Sequence, residues 1–181
     1  HEHAIKHGEM LSDLKDHMRL AIVAGMFHNW EKEVRDWLAA EMQHWYKGEL
    51  AYRAIWNAKL SDIIELLDCL GWKLGGSGIA ITLDRCRLVV NVYKHGAGPA
   101  ADDLRARYPD MLANGASWND DCFKPSSESL PASRLYDVRL NVSDADLDAF
   151  SSAIVEFWET APENVTGDMI ERIPAWLEKA F

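Results

Sequence analysis

The chain has 181 residues, of which 48% are hydrophobic and 27% charged, with eight tryptophans and a formal charge of −10. That length and composition exclude a disordered chain and suit one well-buried core, one domain with an appended subdomain more easily than two independent domains. The acidic balance excludes general DNA or RNA coating, which needs clustered Lys and Arg, and no apolar run reaches the ~18 residues of a membrane span.

The opening HEHAIKHGEM has neither an initiating Met nor an apolar signal-peptide core, so a trimmed start and a cytoplasmic address are expected. From about residue 10 to residue 47, Leu11, Leu14, Met18, Ile22, Met26, Trp30, Val34, Trp37, Leu38, Met42 and Trp45 recur at helical spacing and predict one long amphipathic helix. Gly25 is its weak point and Gly48 its stop. A second helix is predicted over 50–70, through Ile55, Trp56, Leu60, Ile63, Leu67 and Leu70 to a stop at Gly71, and a short connection would set the two antiparallel.

The glycine-rich KLGGSGIA at 73–80 lacks the spacing of a phosphate-cradling loop. A third helix is predicted from Thr82, read as its N-cap, to His95, with Gly96 as stop; it is apolar on most sides and so belongs at the centre. A short helix over 100–108 precedes Pro109. Residues 113–134 are rich in Ser, Asn, Asp and Pro and read as a long linker. In LYDVRLNV, 135–142, the alternation of Tyr136, Val138, Leu140 and Val142 with polar residues predicts a half-buried strand. Ser143 and Asp146 form a capping-box pattern opening a helix through Leu147, Phe150, Ile154, Phe157 and Trp158, and IPAWLEKAF ends the chain as a short docking helix. Cys69, Cys86 and Cys122 lack metal-ligand spacing and are expected as buried free thiols. Trp30, Trp37, Trp56, Leu67 and Val90 are expected in the core.

Two polar stripes interrupt this apolar pattern. Arg87, Asn91 and His95 stand at i, i+4 and i+8 on the third helix, a drift of about 40° per step, with Lys94 beside the last of them. His28, Glu31 and Arg35 stand at i, i+3 and i+7 on the first. Side-by-side packing of the two helices would bring the stripes to one cleft. A metal held by His28, Glu31 and His95 matches no ligand spacing, so neither a metal nor a cofactor is expected. There is no GxSxG elbow, HExxH helix or dinucleotide fingerprint, which leaves standard hydrolase and dehydrogenase chemistry without support.

Two long helices followed by a helix reading RCRLVVNVYKHG, with Asn91 four residues before His95 and Gly96 after it, resemble the HEPN superfamily of small α-helical proteins, many of them prokaryotic defence or toxin ribonucleases. The resemblance covers about residues 10–110. It implies a mainly α fold, an HEPN-like antiparallel helical bundle over 1–112; the linker and a small C-terminal strand-plus-helix extension over 135–181, packed on the same unit, are expected outside the resemblance. It also implies a homodimer paired along the third helix, with RNA or protein as partner. In the implied site His95 acts on a ribose 2′-hydroxyl without metal, Asn91 holds the His or the ribose, and Arg87 steadies the phosphate. His28, Glu31, Arg35 and Lys94 would line the binding cleft. The family's Arg most often stands directly before the polar residue, and here that position is Val90; seven residues separate Arg87 from His95. A degenerate or weak ribonuclease acting mainly by binding is the resulting expectation. A non-catalytic dimeric interaction module and a small-ligand receptor are the alternatives.

Overall fold

A computed structural model describes residues 2–45, 49–113, 138–167 and 169–179 and is mainly helical. α1 spans Glu2–Met42, α2 Glu49–Asn57, α3 Leu60–Cys69, α4 Gly78–His95, α5 Pro99–Arg107, α6 Asp144–Thr160 and α7 Ala175–Glu178, with a 3-10 turn at Pro109–Met111. The expected linker falls, apart from Ala113, outside the described residues, as do Gly48 and Cys122.

Three expectations need correction. The helix expected over 50–70 is two, α2 and α3. Lys59 adopts an extended conformation (ψ 162°), and the Asp62 carboxylate accepts its backbone N–H at 3.1 Å, so a new helix is capped there. The carbonyl oxygens of Ile55 and Ala58 at the end of α2 accept instead from the guanidinium of Arg35, at 2.6 and 2.9 Å. A helix's last carbonyls have no intrahelical donors, and here a buried side chain supplies them.

α4 starts at Gly78 rather than Thr82, because Ser77 is the cap: its Oγ accepts the Ala80 N–H at 3.1 Å. Among the described residues no strand forms. The end of the expected strand makes one isolated antiparallel bridge, Leu112 with Leu140, flanked by Ala113 N–H to Arg139 O (2.9 Å) and Asn141 N–H to Met111 O (2.7 Å). The partner segment bends into the 3-10 turn at Pro109–Met111, so the pairing does not continue toward Val142, and residues 135–137 of the expected strand lie outside the described residues.

Other signals act as their chemistry predicts. Gly71 takes φ +87°, with its own N–H bonded to Asp68 O (3.1 Å) and the Trp72 N–H to Leu67 O (3.0 Å). That is a Schellman stop, and only glycine fits it without strain. A Cβ there would also lie 2.9 Å from the Met169 carbonyl oxygen. Gly96, at φ +69°, ends α4. At the start of α6 the Asp146 carboxylate accepts the Ser143 N–H at 2.9 Å and Ser143 Oγ accepts the Asp146 N–H at 3.2 Å, a capping box with Asp in place of Glu.

Two compact units divide the chain, His1–Gly25 with Arg85–Asp148 and Met26–Asp84 with Ala149–Phe181. The second holds an aromatic core in which Phe157 lies 5.2 Å from Trp30, 4.6 Å from Trp72 and 5.2 Å from Trp158 between ring centroids. Trp37 packs edge-on against Trp72 and Trp158, each at 6.2 Å. Trp30 and Leu67 are buried as expected, whereas Trp37 and Trp56 are half-buried. Most of the tryptophans therefore pack on other rings or in the core rather than forming a ligand cleft.

In the first unit Val23 of α1 and Cys86, Leu88, Val89, Val90 and Val92 of α4 are buried, together with Leu104, Met111 and Val142. Arg85 ties three elements of that unit together. Its guanidinium donates to Asp110 and Asp146 (3.1 Å to the latter) and lies 5.8 Å from the Tyr108 ring centroid.

Cys69 and Cys86 are free and buried. Burial pushes the Cys86 thiol up to about 12, and only the thiolate is a good nucleophile. Alkylation of Cys86 by iodoacetamide at neutral pH is therefore expected to require unfolding. Mass-spectrometric mapping in native and urea-containing buffer checks this, and labelling in native buffer at the rate of a free thiol would contradict it. Stability from keeping this thiol protonated is complete below the ordinary thiol range and is lost as pH rises toward about 12.

Candidate functional site

α4 presents its polar edge in a graded way. Arg87 and Asn91 are half-buried in the first unit, while Lys94 and His95 are exposed at the helix end. Eight residues at about 1.5 Å each separate Arg87 from His95 by roughly 12 Å along the axis. Val90 is only 2% exposed. At about 100° per residue its direction differs from that of His95 by roughly 140°, so the position where the family's Arg most often stands faces core while His95 faces water. His95 borders a shallow open concavity of about 540 Å³ with Gly96, Ala97 and Gly98.

The other stripe has a different role. Arg35 is 7% exposed, and besides the two α2 carbonyls it donates to Glu31 at 2.7 Å. These contacts occupy the guanidinium in holding the end of α2, so Arg35 is a structural residue and not part of an open binding cleft. His28 is exposed and Glu31 half-buried. The two stripes belong to different compact units. Among the described residues no group of three His, Cys, Asp or Glu side chains is gathered to hold a metal, and no helix is long and apolar enough to cross a membrane.

The first unit contains a groove of about 500 Å³ that the sequence did not announce. Asp13, Asp16, His17 and Leu20 line it from α1, Val92, Tyr93 and Gly96 from α4, and Val138 to Leu140 from the bridge segment. His17 Nδ1 lies 2.8 Å from the Asp13 carbonyl oxygen. A carbonyl only accepts, so Nδ1 carries a proton and Nε2 is the ring nitrogen turned to other partners. Asp13 meets Arg139 at 3.5 Å and Asp16 meets Arg19 at 2.8 Å. The groove therefore offers an apolar floor, a phenol, an imidazole and two paired carboxylates, a set suited to holding a small polar molecule.

The available signal was Asp13, Asp16 and His17 at i, i+3 and i+4 on one side of α1. It gains meaning only when α4 and the bridge segment supply the opposite wall.

Beside this groove Arg19 also binds Asp144 at 2.6 Å and Lys15 reaches Asp144 at 3.3 Å. Hydrogen bonding from Arg19, then from Lys15, holds the Asp144 carboxyl below the ordinary carboxylate range and raises the Arg19 guanidinium still further. The stabilising pairing is present above the ordinary Asp range and is lost as pH falls through the lowered value.

Comparison of the chain with protein-family models, with curated proteins and with solved structures finds no match.

Proposed function

We propose that this chain is an HEPN-like helical protein of a prokaryotic defence or toxin–antitoxin type system, with weak or absent ribonuclease activity, that acts by binding RNA or a protein at the α4 edge. Buried Val90 carries the reading. Without an Arg one step before Asn91, the nearest Arg of α4 is Arg87, roughly 12 Å from His95 along the axis, too far to take the usual place of the phosphate-steadying guanidinium. The resemblance in NVYKHG supplies the family, and the formal charge of −10 opposes the approach of RNA.

An RNase assay of the purified chain in EDTA, with His95→Ala as control, tests this. Cleavage is expected at least about two orders of magnitude below that of a site with its phosphate donor in place. Robust cleavage that disappears in His95→Ala would reject weak activity and make Arg87 the catalytic Arg.

The groove at His17 supports a second reading, a small-ligand receptor. Thermal-shift screening of small polar metabolites against the chain and His17→Ala separates the two readings. A stabilising compound whose effect is lost in His17→Ala favours the receptor.

A further inference from the structure

The first half of α1 carries an apolar ribbon that nothing in the described structure covers. Met10, Leu11, Leu14, Met18 and Ile22 are each 52–59% exposed, and they make up half of the large hydrophobic side chains that are exposed among the described residues. The others, such as Leu50, Ile81 and Val155, are scattered along the chain. Ala21 and Gly25, also exposed, continue the same line. A Cβ built on Gly25 meets nothing within 4 Å.

Leu11, Leu14, Met18, Ala21 and Gly25 are spaced 3, 4, 3, 4, which is the seam of a helix paired with another helix. The packed pattern of the second half of α1, with Trp30, Val34, Leu38 and Met42 buried, shows what such a stripe does when it has a partner.

We infer that a second copy of this chain covers the ribbon, so that the protein is a homodimer joined along residues 10–25 of α1. Three observations select this occupant. The first is charge. Within 10–25, Lys15 and Arg19 balance Asp13 and Asp16, and both cations at the ribbon edge are tied to Asp144 of their own chain. The chain as a whole carries a net charge of −10, and a neutral strip lets two copies meet at low electrostatic cost.

The second is area. Five half-exposed Leu, Ile and Met side chains offer roughly 100 Å² each, so two copies bury roughly 1,000 Å² of apolar surface, enough for a specific dimer of modest affinity. The third is shape. A twofold pair requires a self-complementary patch, and a straight heptad-spaced ribbon about 22 Å long meets its own copy knob into hole. A hollow of about 300 Å³ between Leu11, Leu14, Met18 and Ile22 of α1 and Leu147 of α6 gives the partner's side chains a seat.

The inference moves the dimer seam from α4 to α1. It rests on the ribbon alone, so the ribonuclease result leaves it untouched.

Light scattering after size exclusion, on the full chain over a range of concentrations, is the test. The wild type is expected to show twice the 20.5 kDa protomer mass at high micromolar concentration. Leu14→Glu with Met18→Glu is expected to be monomeric, at least about 100-fold weaker in self-association given that each charge is forced into an apolar seam. Met18→Leu should remain dimeric. Circular dichroism should be unchanged in both variants, because the substituted side chains face water in the single chain.

A wild type monomeric throughout overturns the inference, as does a dimer indifferent to the double substitution. Loss of helix in the double variant would contradict the exposure on which the inference stands and would overturn it as well. A wild-type monomer that captures a helical partner through the same ribbon would assign the surface to that partner instead.

Discussion

Arg35→Met is expected to lower the free energy of unfolding by about 3 kcal/mol, near the low end for removing one partner from a buried ionic group. The change leaves Glu31 without its cation and strips donors from the Ile55 and Ala58 carbonyls. Methionine fills much of the space, so the loss reports on the hydrogen bonds rather than on a cavity. Arg35→Lys should recover only part of it, because an ammonium on a straight stem does not reproduce a planar fork reaching two carbonyls and a carboxylate. Urea unfolding followed by circular dichroism measures both variants. A midpoint for Arg35→Met equal to wild type would show that α2 ends where it does for another reason.

Phe157→Ala is expected to cost about 3–5 kcal/mol, the range for truncating a core aromatic. Phe157 is fully buried, and its ring meets three tryptophans, edge-to-face with Trp30 and Trp158 and tilted against Trp72. No neighbour can collapse into the gap without giving up a ring contact of its own. For a chain of this size the loss should lower Tm by roughly 10 °C, and the near-ultraviolet tryptophan signal should weaken with it. Phe157→Leu, which keeps most of the volume, should cost about 1–2 kcal/mol. A thermal scan of Phe157→Ala that overlays the wild type would remove Phe157 from the centre of this core.

Much of the fold was legible as periodicity. The long first helix, the apolar third helix, the stop glycines Gly71 and Gly96 and the Ser143–Asp146 cap all rest on interactions within one turn or one stripe, and such signals survive in the sequence. Of the strand expected over 135–142, the described part, 138–142, forms only a single bridge, for a related reason. Alternation of Val138, Leu140 and Val142 is a local pattern, but a ladder needs a second extended segment, and the chain beside Leu112 is a 3-10 turn. Thr82 lost the capping role to Ser77 because either residue can cap and only the path of the glycine-rich connector decides between them.

Residue types and spacings by themselves determined a helical, acidic chain with a polar edge at Arg87, Asn91 and His95 and an aliphatic residue before Asn91. Only the tertiary structure decided what those residues face. It buried Arg35 against the end of α2, turned Val90 into core, and made Arg85 a tie to Asp110 and Asp146. It also left the first half of one amphipathic stripe in water while packing the second half. Periodicity states which residues share a helix face, and burial depends on what distant segments bring to that face.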